Sequence, residues 1–137
     1  MTAQNTARLC AALILAAACH RNAPTGPTVP VDRQVTLAPG QTAAVDGTPL
    51  RVTFLRVSGD SRCPADAVCI QGGDALVHIR AQDGTAPSDY ELHTGDASRA
   101  AVSHGGYRIE LASLEPYPFS SRTIQPGDYR ATLKVTR

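Results

Sequence analysis

Apolar and polar residues alternate with a period of two along most of this chain. Leu50, Val52 and Phe54 alternate with Arg51 and Thr53, and Ala75, Val77, Ile79 and Ala81 alternate with Leu76, His78 and Arg80. Tyr90 and Leu92 flank Glu91. Tyr107, Ile109 and Leu111 alternate with Arg108 and Glu110, and Tyr129, Ala131, Leu133 and Val135 alternate with Arg130, Thr132 and Lys134. Successive side chains of a strand point to opposite faces, so each run predicts a strand with one face in a core and one in water. On that parity His78 and His93 point outward and are expected to be neighbours. Leu55 and Val57 change parity relative to Phe54, which predicts a β-bulge near Phe54–Leu55.

Turn signals separate these runs at short intervals: Pro39-Gly40, Asp46-Gly47, Gly72-Gly73, Asp83-Gly84, Gly95-Asp96, Gly105-Gly106 and Pro126-Gly127. No useful stretch beyond residue 33 repeats at the helical period of 3.6. The expected fold is all-β: an antiparallel β-sandwich, immunoglobulin-like or a similar Greek key, of about seven or eight short strands. It is expected to occupy residues 33–137.

The N-terminal segment follows a different pattern. Arg8 precedes an apolar run from Leu9 to Ala18, which ends in small residues at Cys19. That order of charge, apolar run and small residues is the pattern of a secretory signal, here residues 1–18. The run is too short for a transmembrane helix, which needs about 20 apolar residues. Leu15-Ala16-Ala17-Ala18-Cys19 resembles the lipobox of bacterial lipoproteins, with the departure that Ala16 stands where that motif more often has Leu. The resemblance implies acylation of Cys19 and a mature chain held to a membrane through it. His20 stands where lipoproteins retained in the inner membrane usually carry Asp, which implies the outer membrane, facing the periplasm or the surface. A soluble periplasmic or secreted protein cut near Ala18 is the alternative. Residues 20–32, with Pro24, Pro27 and Pro30, are expected to form an extended tether without strand pairing.

Composition narrows the possible partners. The 137-residue chain carries 13 basic and 12 acidic residues, and 18% of it is charged. Removal of Arg8 with the signal leaves 12 basic against 12 acidic residues. A neutral domain has no electrostatic footprint for nucleic acid.

Four cysteines are present. Cys10 lies in the expected signal and Cys19 is the lipidation site that the lipobox resemblance implies, which leaves Cys63 and Cys69. In an exported protein two cysteines six positions apart on a turn-rich segment are expected to form a disulfide. Zinc and redox catalysis are the alternatives. The former lacks a second ligand pair among His78, His93 and His104, and the latter normally uses C-x-x-C. The string Asp60-Ser61-Arg62-Cys63-Pro64, followed by Cys69-Ile70 and Gly73-Asp74-Ala75, resembles a pattern in small exported bacterial β domains. The likeness continues through Tyr107–Leu111, Pro116-Tyr117-Pro118 and Tyr129–Leu133. It supports a disulfide-closed β domain and implies no activity.

Candidate chemistry is sparse. Ser103-His104 lacks the strand-turn-helix context of a nucleophile elbow. Asp60, Asp66 and Asp74 are spaced unlike a calcium loop. Met1 is the sole methionine, so no thioether copper site is available in the mature chain. The expectation is a non-catalytic binding or structural module with no cofactor and no metal. Its candidate binding loops carry Asp60, Ser61, Arg62, Asp66 and Asp74 in one segment and Tyr117 and Phe119 in another. The structural reading of the same residues has Asp60 and Ser61 bonding backbone in a turn, Arg62 pairing with Asp60 or Asp66, and one or both rings capping the open end of the core. The alternatives are a periplasmic accessory protein for a small ligand or metal, using His78 or His93, and an inhibitor of an envelope enzyme presenting residues 115–121. The partner is the membrane through Cys19, with an envelope protein or a small ligand as the further possibility.

Overall fold

A computed structural model describes residues 26–137. The signal segment and Cys19 lie outside the described residues. The strands are β1 (Thr28–Val29), β2 (Gln34–Leu37), β3 (Thr42–Val45), β4 (Arg51–Asp60), β5 (Ala75–Gln82), β6 (Ser88–His93), β7 (Ala101–His104), β8 (Tyr107–Glu115) and β9 (Arg130–Thr136). They form two sheets, ordered β1-β3-β4-β5-β6 and β2-β9-β8-β7, packed as a β-sandwich. Every pairing is antiparallel except that of β1 with β3.

The period-two pattern is what fills the space between the sheets. Val52 and Phe54 of β4, Val77 and Ile79 of β5, Leu92 of β6, Ile109 of β8 and Leu133 and Val135 of β9 are all buried. At about 25 cal/mol per Å² of apolar surface removed from water, this interior is the main favourable contribution to folding. Ladder shifts between Phe54 and Arg56, between Val57 and Gly59 and between Leu111 and Ser113 interrupt the alternation. The first is the bulge that the parity change predicts.

The tether expectation requires correction at its C-terminal end. Thr28 and Val29 pair in parallel with Ala44 and Val45, and Val29 is buried. Proline lacks a donor but keeps its acceptor, so Pro27 O receives the Ala44 N–H at 3.3 Å while Gly26 N–H donates to Thr42 O at 2.9 Å. A segment spaced by prolines can therefore serve as a sheet edge. The sandwich begins at the edge strand Thr28–Val29, within residues expected to be tether.

The two ends of the sandwich differ. At one, β4 leaves and β5 enters (Asp60 opposite Ala75) and β8 leaves and β9 enters (Glu115 opposite Arg130). The loops 61–74 and 116–129 therefore share this loop end. The other end carries the turn after β5 and the turn between β7 and β8. There a side chain at Gly105 would collide with Asp83.

Candidate functional site

The loop end is built around a buried ion pair. Asp60 is the last residue of β4, and Arg62 folds back on it: Nε donates to Oδ1 at 2.8 Å and Nη2 to Oδ2 at 2.6 Å. The guanidinium then crosses to the other sheet, donating through Nη1 to Leu114 O at 2.7 Å and through Nη2 to Pro116 O at 3.0 Å. The Tyr129 hydroxyl donates to Asp60 Oδ2 at 3.1 Å. Only 6% of the Arg62 side chain and 12% of the Asp60 side chain are exposed. Burial by itself would raise the Asp60 carboxyl, but the Arg62 hydrogen bonds and charge and the Tyr129 hydroxyl outweigh it and hold the group below its ordinary range. Burial and the Asp60 charge push the Tyr129 hydroxyl upward, which keeps it a donor.

Ser61 and Asp74 close the base of the first loop. Ser61 N–H and Oγ–H both donate to Asp74 O, at 2.7 and 3.0 Å, and Asp74 N–H donates to Ser61 Oγ at 3.0 Å. The approach is close enough that a Cβ on Gly73, whose φ is +67°, would lie 1.7 Å from Ser61 O. Asp74 Oδ1 accepts from Gly95 N–H at 2.7 Å and from the Thr94 hydroxyl at 3.2 Å, and its Oδ2 meets His93 Nδ1. Burial raises the Asp74 carboxyl and these hydrogen bonds lower it further, for a net shift downward.

Beyond this base, Cys63 and Cys69 are disulfide-bonded with Cα atoms 6.0 Å apart. The closed loop leans on the second one: Ala65 N–H donates to Pro118 O at 2.9 Å, and Asp66 Oδ1 accepts from Ser120 N–H at 2.8 Å. The two candidate loops, 54 residues apart in sequence at that contact, thus form one surface. Arg62 joins them a second time, with its guanidinium carbon 5.4 Å from the centroid of the Tyr117 ring.

The five polar candidates hold this end together, as the turn and ion-pair reading of Asp60, Ser61 and Arg62 expects. Asp60, Ser61, Arg62, Asp66 and Asp74 all bind backbone or one another. The exposed groups are apolar: Val68 and Ile70 are fully exposed on either side of Cys69, and Tyr117 and Phe119 are 47% and 48% exposed. Sequence reasoning named the two rings and missed the two aliphatics. The available signal is that Val68 and Ile70 flank Cys69, whose bond to Cys63 closes a short turn-rich loop away from any period-two run.

His78 and His93 do not meet directly. Glu91 lies between them, with Oε2 3.5 Å from His78 Nε2 and Oε1 3.2 Å from His93 Nε2. His93 is buried, contrary to the outward position expected from parity, with Asp74 Oδ2 at its Nδ1 and Glu91 Oε1 at its Nε2. Among the described residues no group of three or more His, Cys, Asp or Glu is placed to hold a metal ion. Ser103 is exposed while His104 is buried against Tyr90, whose hydroxyl lies 3.0 Å from its Nδ1. The strand thus directs these two neighbours to opposite faces.

A groove of about 390 Å³ opens beside the ion pair, lined by Arg62, Gly73, His93, Leu111, Glu115 and Tyr117 among others. It exists because β8 runs past β7: their pairing stops at Ala101 opposite Glu110, leaving the edge of β8 beyond it uncovered by that strand. Comparison of the chain with protein-family models, with curated proteins and with solved structures gives no match.

Proposed function

We propose that this protein is an exported, lipid-anchored binding module of the bacterial envelope. Cys19 carries the anchor, and the loop end is the interaction surface. One observation carries the binding assignment. Val68, Ile70, Tyr117 and Phe119 are exposed on one surface that a disulfide, a buried ion pair and inter-loop hydrogen bonds hold rigid. Apolar groups kept in water by a fixed scaffold mark an interaction site more specifically than scattered surface residues do. The reading invokes no catalytic residue, cofactor or nucleic acid. Outer-membrane destination follows from His20 after the acylated Cys19.

Two measurements test it. Replacing Cys19 by Ser should release the protein from membranes and make its processing insensitive to globomycin; unchanged partitioning and processing refute the anchor. A photo-crosslinking residue at position 70 should give adducts in intact cells, whereas one at Ala86, exposed at the opposite end, should not. Equal yield at both positions, or none at position 70, refutes the assignment of the loop end.

A second reading rests on the 390 Å³ groove, which is large enough for a small ligand and is flanked by Arg62 and His93. Its polar groups are already partnered: Arg62 by Asp60 and two carbonyls, His93 by Asp74 and Glu91. The exposed apolar surface therefore has the stronger claim.

A further inference from the structure

We infer that the loop end docks on the lipid surface of the membrane that holds Cys19, an inference that rests on the lipid-anchored reading above. Strand direction is the first argument. β3 pairs antiparallel with β4, Thr42 opposite Thr53 and Ala44 opposite Arg51, so β3 runs away from the loop end. β1 runs parallel to β3, and Gly26 is tied to Thr42. At Gly26 the chain therefore comes from the loop-end side of the sandwich.

Reach is the second. Thr53 and Asp60 lie opposite Arg80 and Ala75, five residues apart on β5, so the twice-bulged stretch of β4 between them spans about 17 Å at roughly 3.3 Å per residue. Seven residues separate Cys19 from Gly26, a span of at most about 25 Å. A tether of at most that length, joined to the domain on its loop-end side, keeps the loop end within reach of the lipid surface.

The chemistry of the exposed groups is the third. Between Cys63 and Gln71 the only charged residue is Asp66, and its carboxylate already accepts a backbone N–H. Val68 and Ile70 offer aliphatic surface with no directional donor or acceptor, and two aromatic rings stand beside them. Protein hot spots favour Trp, Tyr and Arg, whereas Arg62 here is consumed inside the domain. Aliphatics at a crest with rings at its flank suit the gradient from acyl chain to headgroup. The disulfide and the Ala65–Pro118 hydrogen bond keep the crest ordered before contact, so insertion does not carry the entropy cost of ordering a free loop.

The chain contains no tryptophan, so a single introduced indole reports on its own position. Purified lipidated protein with Phe119→Trp, reconstituted in phosphatidylethanolamine–phosphatidylglycerol vesicles, should be quenched by brominated acyl chains, while Ala86→Trp should not. Adding Val68→Asn and Ile70→Asn should remove the quenching with the circular dichroism spectrum unchanged. The unlipidated Cys19→Ser chain should partition weakly onto the same vesicles and lose about tenfold or more on the same double substitution, as expected when two aliphatic side chains no longer enter an apolar phase. Absence of quenching at position 119 in membrane-bound protein overturns the inference, as does equal quenching at 86 and 119 or quenching that survives the double substitution. Failure of the anchor instead appears as wild-type protein in the aqueous fraction, and the unlipidated arm then decides docking by itself.

Discussion

Removal of the Arg62 charge tests the architecture of the loop end most directly. Arg62→Met keeps most of the aliphatic volume, so the loss reports on the guanidinium more than on packing. It leaves Asp60, 12% exposed at its side chain, without its ion-pair partner, and it removes the donors to Leu114 O and Pro116 O. Breaking a buried pair from one side costs about 3–5 kcal/mol, because the remaining charge stays desolvated. A domain of this size is stable by about 5–15 kcal/mol, so about a fifth of its stability or more is at stake. The molecule carries its own control. Arg80 and Asp89 form an equally well-aligned pair, at 2.6 and 2.8 Å, but with side chains 48% and 53% exposed. Arg80→Met is therefore expected to cost no more than about 1 kcal/mol. Urea unfolding followed by far-ultraviolet circular dichroism and tyrosine fluorescence measures both. Adding Asp60→Asn to Arg62→Met should recover part of the loss, since no buried charge is then left alone. A cost for Arg62→Met close to that for Arg80→Met, or no recovery in the double variant, would refute the reasoning.

Acid should weaken the fold. The Asp60 and Asp74 carboxyls are held below their ordinary values, so their contribution is complete well above the unfolded value of about 3.9 and is lost as pH falls through that value to the lower folded-state values. Melting temperature should hold steady from neutrality to about pH 5 and then fall, more steeply in wild type than in Asp60→Asn; an equal fall in both would deny Asp60 its role. Replacing Cys63 and Cys69 together by Ser should cost about 2.4 kcal/mol for the seven-residue loop on the chain-entropy estimate, measured by denaturant midpoint. Hydrogen exchange should show the loosening confined to residues near 63–72. Gly73→Ala should destabilise by more than about 2 kcal/mol, because a left-handed φ and contact with Ser61 O both oppose it. Gly72→Ala, with open space around its added methyl group, should stay within about 0.5 kcal/mol of wild type.

The sheet core was legible where a strand presents a long period-two run, as β4, β5, β8 and β9 do. Val77 and Ile79, or Ile109 and Leu111, announce a buried face without any tertiary information. The short edge strands were harder. β1 is two residues flanked by prolines, and its pairing depends on acceptors that proline retains rather than on the donor it lacks. His93 has outward parity and is nonetheless buried, held between Asp74 and Glu91. Period alone carries no information about such partners. Neither does it carry the bulge at Leu111–Ser113, which appears only when β8 is laid against β9.

The loop end shows how the polar residues of a loop hold it in place. A backbone that leaves a sheet carries donors and acceptors that must be satisfied if it is to stay fixed. Asp60, Ser61, Arg62, Asp66 and Asp74 do that work, so an Asp-rich, Arg-containing loop in the sequence is, in three dimensions, a scaffold. The same scaffold explains how Val68 and Ile70 stay in water. A mobile loop of this composition would turn its aliphatics toward the nearest apolar surface, which here is the sandwich itself. The disulfide limits the loop to a few ångströms of reach, and the Arg62 bridge fixes the direction in which it projects. The structural and functional readings of Asp60-Ser61-Arg62-Cys63-Pro64 are therefore two stages of one mechanism. Loss of Arg62 should accordingly reduce bromolipid quenching at position 119 even under conditions where the sandwich remains folded. Full quenching in a folded Arg62→Met variant would separate the two stages and leave the ion pair a purely local support.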